Sequence, residues 1–161
     1  MWVTEDEVET ESGYKLTWGV VHKNPAVLVI PKVGEYTYLV GQYRYPVDLY
    51  SWEFVQGHFE HDSVEDTANH ELEEEVGLKA GKLELIGKFY LAPGHHTQEY
   101  YVFVATDISD GTKNPEPDEM SMETKKVTFK EVENMISNGE IKDGPTLAGF
   151  SIFNAWKNKH E

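Results

Sequence analysis

Between Gln56 and Leu78 the chain runs QGHFEHDSVEDTANHELEEEVGL, with eleven ionisable side chains in twenty-three positions. The same stretch keeps a helical apolar period. Val64, Ala68, Leu72 and Val76 recur every four residues and fall on one stripe at about 100° per residue. A helix over 62–76 that buries this stripe must carry carboxylates along its edge. Asp62 suits the N-cap, Glu65 three residues on completes a capping-box pattern, and Gly77 supplies the stop. By the same rotation Glu75 projects within roughly 20° of Ala68, and Glu71 within roughly 60°. The two stand at i and i+4, so they are neighbours, with Glu74 beside them. Like charges at that spacing repel, and at the edge of a core they also lose solvation. Either glutamates 71, 73, 74 and 75 are simply solvated, or an oxygen-seeking cation, Mg²⁺ or Mn²⁺, compensates them. Periodicity leaves both open.

Around this helix the pattern is mostly strand. KLTWGVVH (15–22), PAVLVIPKV (25–33), YTYLVGQYRYPV (36–47) and SWEFVQG (51–57) are rich in Val, Tyr and Ile and broken by turn residues. LELIGKFYLA (83–92) and TQEYYVFVATDI (97–108) predict two more strands joined by PGHH, and TKKVTF another after the loop 109–121. KEVENMISNG predicts a short helix stopped by Gly139. DGPTLAGFSIFNAWKNK predicts a last helix with Asp143 or Gly144 at its cap and Pro145 in its first turn. Strands interrupted by few helices imply a mixed α/β layered structure.

Length and charge narrow the function. A chain of 161 residues, 39% hydrophobic, suffices for one domain with a filled core, and domain 1–161 is read as a single unit. Against 14 Lys and Arg stand 29 Asp and Glu, a formal charge of −15, which repels a nucleic-acid polymer. A small phosphorylated ligand fits such a surface only where bound cations reverse the local field. The absence of cysteine excludes disulfides, zinc–thiolate sites and a thiol nucleophile. An acidic start, MWVTEDEVET, and no apolar run of about 20 residues predict a cytoplasmic protein with no membrane partner.

HELEEEVGL at 70–78 resembles the end of the Nudix box, G-x5-E-x7-R-E-U-x-E-E-x-G-U, where U is aliphatic. Glu71, Leu72, Glu74, Glu75, Gly77 and Leu78 match it, and Asp62 stands the required distance before His70. The flanks extend the likeness. YLVGQYRYPV…SWEFVQG resembles the Q-Y-R-Y-P…E-L-P-A-G lead-in of ADP-ribose pyrophosphatase-type members. LAPGHHTQEYYVFVATDI resembles their S-P-G…E…strand segment, and NGEIKDGPTLAGF their G-x-I-x-D-x-x-T segment. The departures are Asp62 for the first Glu of the box, His70 for its Arg, FVQG for LPAG, and four residues instead of five between Gly57 and Asp62. A shorter Asp62 and a titratable His70 cannot reproduce a bidentate Arg pair.

The resemblance implies an α/β/α sandwich with a mixed sheet, and a Mg²⁺- or Mn²⁺-dependent hydrolase for the pyrophosphate of ADP-ribose or another nucleoside diphosphate sugar. It also implies alternatives: another nucleotide substrate (a nucleoside triphosphate or dinucleoside polyphosphate), or a catalytically weak domain that binds nucleotide. Carried over residue by residue, Glu71, Glu75 and the Gln56 carbonyl hold metal, and Glu74 is an additional ligand or orienting catalytic group. Arg44 contacts the pyrophosphate, and Glu53 lies close to the metals. The general base comes from PEPDEMSME, where Glu119 is the first choice among Glu116, Asp118, Glu119 and Glu123. An ion pair for Arg44 or Glu53 is the plainer alternative. Related pyrophosphatases pair through N-terminal strands, which implies a homodimer using residues 1–24, with Trp2, Tyr14 and Trp18 as its apolar material. HFEH at 58–61 is one residue short of H-x-x-E-H and precedes the helix, against a zinc protease. His95 and His96 are expected in a loop facing the cleft.

Overall fold

The computed structural model describes residues 1–59, 62–114 and 121–160. Its middle is strand β3 (Ala26–Pro31), every residue of which is buried. Such a strand needs cover on both faces, and its apolar run AVLVIP supplies it without alternation. Leu28 and Ile30 enter one core with Phe54, Val102, Phe150 and Phe153, whereas Val27 and Val29 enter another with Val55, Ala68, Leu72 and Phe103. Helices lie over both faces, giving the α/β/α arrangement. Each large apolar side chain fully buried there contributes about 1.5–3 kcal/mol.

β3 pairs antiparallel with β6 (Val55–His58) and parallel with β8 (Glu99–Asp110), and β8 pairs antiparallel with β7 (Leu78–Tyr90). This mixed sheet has the order β6-β3-β8-β7. A second, antiparallel sheet has the order β5-β4-β9, from β4 (Tyr36–Arg44), β5 (Leu49–Glu53) and β9 (Glu123–Thr128). The expected strand 51–57 is therefore two strands in two sheets. Phe54 sits at the switch, and its N–H is donated to Thr146 Oγ1 at 3.0 Å instead of to a ladder. The expected strand 36–47 ends at Arg44, followed by a single 3-10 turn (Tyr45–Val47) that carries Pro46 and is closed by Asp48 at φ 50°. β7 starts five residues earlier than expected, because Leu78 pairs with Asp110 at the far end of a long hairpin.

β1 (Trp2–Glu9) and β2 (Lys15–His22), the latter the expected strand 15–22, form a small antiparallel sheet of their own. It is tied to the loop before β8: Trp18 Nε1 donates to the Gly94 carbonyl at 2.8 Å, and Val21 exchanges backbone bonds with His95 and Thr97. Helix α2 (Phe129–Ser137) starts in a full capping box between Thr128 and Glu131. Helix α3 (Gly144–His160) lays Phe150 and Phe153 against Phe54 and Phe129.

The acidic helix differs from an ideal one in two ways. α1 (Val64–Glu71) is capped by Ser63, in extended conformation, whose hydroxyl accepts from Asp66 N at 3.0 Å; Asp62 is exposed and outside the helix. Leu72–Val76 then continues as a π turn, ended by Gly77 at φ 73°, whose N–H donates to the Glu73 carbonyl. A wider turn winds less per residue, so side-chain directions drift from those of a 100° helix.

Candidate active site

The π turn and the end of β6 meet in a cleft of about 660 Å³. One wall is the acidic segment, with His70, Glu71, Glu74 and Glu75. The other comes from β4 and the following 3-10 turn, with Gln42, Arg44, Pro46 and Val47. Gln56, Gly57 and His58 lie between, and Asp143 and Pro145 enter from the start of α3. Lys23, Leu91, Gln98 and Tyr100 close the far end.

Gly57 decides where Glu71 goes. A Cβ built at position 57 would overlap the Glu71 carboxylate, so that carboxylate occupies the space a side chain would fill. Glu75 reaches the same strand end, accepting from Gln56 N at 3.4 Å, and is 1% exposed. Glu74 accepts from His70 Nε2 at 2.8 Å, and its own carbonyl accepts from Asn114 N. Glu73 points away, held below the usual carboxylate range by Lys79 and by the Thr112 amide. Of the four glutamates, three line the cleft and one is a surface ion pair.

Arg44 and Glu53 make a fork: Nε donates to Oε1 at 2.9 Å and the second guanidinium nitrogen to Oε2. The carboxylate holds the guanidinium above its ordinary range, against the opposing effect of burial. Glu53 is 1% exposed and does not line the cleft; its oxygens are taken by Arg44 and, more weakly, by the Gln56 amide at 3.4 Å. The ion pair named above as the plainer alternative is thus present, but with Arg44 still facing the cleft. The Gln56 side chain donates to Asp143 Oδ2 at 2.8 Å, and that oxygen also accepts from Thr146 N.

Two carboxylates and a strand end converging on a space that only glycine leaves open are a hard-oxygen set of the kind that suits Mg²⁺ or Mn²⁺. Among the described residues, no three His, Asp or Glu side chains already stand together closely enough to hold an ion. Glu116, Asp118 and Glu119 lie outside the described residues. Glu123, at the start of β9, pairs across to Gly41 and does not line the cleft; its interaction with Tyr50 helps raise that phenol's pKa, second to burial. His58 and His70 line the cleft, but His95 and His96 do not, because their loop turns toward β2.

Five polar cleft residues have no site role in the sequence pattern. Asp143 lies within the G-x-I-x-D-x-x-T segment, where the pattern marks it only as a cap. Lys23, Gln42, Gln98 and Tyr100 carry no local signal of a site. Burial pushes the Tyr100 phenol up to about 12, with Asp143 adding to the effect.

This helix–sheet–helix fold, with a glutamate-rich turn under a glycine strand end, has counterparts among known proteins. The NUDIX domain model matches residues 22–150. An ADP-ribose pyrophosphatase of Bacillus subtilis (strain 168) is 32% identical over 146 residues, 88% of this chain and 78% of the relative. The ADP compounds hydrolase NudE of Escherichia coli (strain K12) is 32% identical over 84 residues, 52% of this chain and 45% of that protein. A crystal structure of an ADP compounds hydrolase superposes with a TM-score of 0.88 at 20% identity, covering 98% of this chain and 86% of that one, which shows the fold. The chain belongs to the Nudix family. It is a pyrophosphohydrolase of that family; such hydrolases generally use a divalent metal and act on small nucleotide substrates. Among the described residues no helix is long and apolar enough to cross a membrane.

Proposed function

We propose that residues 1–161 form one Mg²⁺- or Mn²⁺-dependent hydrolase domain that cleaves the pyrophosphate of ADP-ribose or another nucleoside diphosphate sugar. The observation that carries this reading is the meeting of Glu71 and Glu75 at the Gln56–Gly57 strand end, across a cleft from Arg44. In this reading Glu71, Glu75 and the Gln56 carbonyl hold the metal, which supplies charge neutralisation and a water of lowered pKa. Arg44, kept in one orientation by Glu53, offers its remaining N–H groups to a phosphate oxygen. Glu74, paired with His70, orients the helix end or adds a ligand, and Glu119 is the general base. The similarity over 88% of the chain to an ADP-ribose pyrophosphatase supports the substrate class.

The same reading includes a homodimer formed through the β1–β2 hairpin, where Trp2, Tyr14 and Trp18 are 58%, 67% and 45% exposed. It also takes the cytoplasm as the protein's compartment.

The test is a coupled phosphate-release screen over nucleoside diphosphate derivatives, with Mg²⁺ or Mn²⁺ added. Metal-dependent turnover of ADP-ribose or a nucleoside diphosphate sugar is the expected result. Turnover restricted to nucleoside triphosphates or dinucleoside polyphosphates moves the substrate class. Binding without turnover of anything would replace the reading with a nucleotide-binding domain.

A further inference from the structure

Arg44 is the only arginine in the sequence, and three carboxylates draw on it. Its bonds to Glu53 lift the guanidinium above its ordinary range. Burial opposes them, and the charges of Glu53, Asp143 and Glu75 add to the rise. Asp143 and Glu75 line the cleft beside Arg44, whereas Glu53 does not. Coulomb attraction does not by itself choose among such partners, because it depends on distance and not on direction. Glu53, 1% exposed, needs the cation most. Asp143 draws on it less the better it is served by donors of its own.

Gln56 is such a donor. Its Nε2 donates to Asp143 Oδ2 at 2.8 Å, and the same nitrogen lies 3.4 Å from both Glu53 Oε2 and Thr146 Oγ1. An amide nitrogen carries two hydrogens and no charge, so it serves both carboxylates without adding a cation that competes with arginine. Asp143 Oδ2 also accepts from Thr146 N at 2.8 Å, and the Asp143 carbonyl from Leu147 N at 3.0 Å, which makes Asp143 the cap of α3. Thr146 Oγ1 in turn accepts from Phe54 N. The chain from Glu53 to Gln56 is thus joined to the start of α3 at one amide. An alanine at position 56, as in the LPAG pattern, has no donor to give.

We propose that Gln56 is a positioning residue for Arg44: its amide satisfies Asp143 at the start of α3, so the guanidinium stays on Glu53 with its remaining N–H edge turned to the cleft. Without the amide, Asp143 loses a donor and the chain's single guanidinium is divided between two partners. A divided arginine meets a ligand in only part of its population, and apparent affinity falls by that fraction. The placement of the guanidinium stands apart from the proposed hydrolysis; only the choice of a phosphate as its ligand rests on that reading.

Because the chain has one arginine, ¹⁵N-labelled protein gives a single guanidinium Nε–Hε signal by NMR, which reads Arg44 without substrate or metal. In the parent this proton is held by Glu53 and should exchange slowly with water. Gln56→Leu keeps the length of the side chain and removes the donor. It should shift the signal and speed its exchange about 10-fold, the worth of one hydrogen bond to a charged group. Adding Asp143→Asn to Gln56→Leu removes the competing charge, keeps a capping side chain, and should return the signal to its parent position. Gln56→Ala removes the same donor with less bulk and should act as Gln56→Leu does, so a leucine that fails to fold leaves the test intact. A signal unmoved in the folded Gln56 variants overturns the proposal. A moved signal that Asp143→Asn does not restore makes Gln56 a packing group and overturns it too. On any substrate found in the phosphate-release screen, Gln56→Leu should raise KM about 10-fold with kcat kept within about twofold, and the double variant should regain the parent KM. An unchanged KM also overturns the proposal. If the screen finds no substrate, the hydrolase reading fails while the guanidinium signal still decides this one.

Discussion

The Arg44 guanidinium clasps the Glu53 carboxylate from two sides, yet the two partners stand in different surroundings. Glu53 is 1% exposed, whereas the Arg44 side chain keeps 41% of its surface. Removing one partner is therefore not equivalent to removing the other.

Arg44→Met leaves a buried carboxylate uncompensated and should cost about 3 kcal/mol, at the low end for broken buried pairs because the Gln56 amide remains nearby. Glu53→Gln leaves a guanidinium that can turn to water, and should cost about 1 kcal/mol. Urea unfolding of the two variants measures the difference. Equal losses would show that Glu53 draws its compensation from elsewhere.

Gly57→Ala puts a methyl group where the Glu71 carboxylate lies. Position 57 pairs with Val27 inside a sheet, so the backbone can accept alanine there. Activity should fall about 100-fold through displacement of one catalytic-site carboxylate by an ångström or so, with the fold kept. Circular dichroism with kinetics on the same sample checks it, and an alanine variant of full activity would release Glu71 from its assigned role.

Glu75→Gln keeps the shape of a buried side chain and removes its charge. Turnover should nearly vanish, and the rise in melting temperature that Mg²⁺ gives the parent by mass action should shrink. If the variant turns over substrate as fast as the parent, the metal is held elsewhere.

The Tyr100 phenol is raised from 10.0 to about 12, mainly by burial. Between those values the folded chain keeps a proton that the unfolded chain has lost. Stability from this group is thus complete below about pH 10 and falls as the pH rises toward 12, by roughly 3 kcal/mol across the window. Tyr100→Phe should flatten that part of the stability curve. A parent and variant that lose stability in parallel above pH 10 would place the phenol in water.

Trp2 and Trp18 stand exposed on the β1–β2 hairpin, and pairing of two hairpins would cover them. Light scattering at tens of micromolar should report a dimer for the parent, the range set by micromolar-scale affinity. Trp2→Glu should shift it to monomer, whereas a monomeric parent removes the hairpin interface from the proposal.

What the sequence determined on its own is whatever depends on short-range pattern. The stripe Val64, Ala68, Leu72 fixed a helix, the Val- and Ile-rich run AVLVIP a strand, and Gly77 the stop, because each follows from local period, β-propensity or glycine's freedom at positive φ, whereas the burial of that strand on both faces came with packing. The order Gly57…Glu71…Glu75 also marked the glutamates that reach the cleft, whereas Glu73 could be separated from them only by its partners Lys79 and Thr112. Tertiary structure decided the rest. Phe54 moves the chain from one sheet to the other because Thr146, ninety-two residues away, takes its N–H. The π turn after Glu71, the fork between Arg44 and Glu53, and the bond from Gln56 to Asp143 exist only once distant segments are packed. Burial and pairing are properties of the assembled neighbours, and no window of sequence contains them.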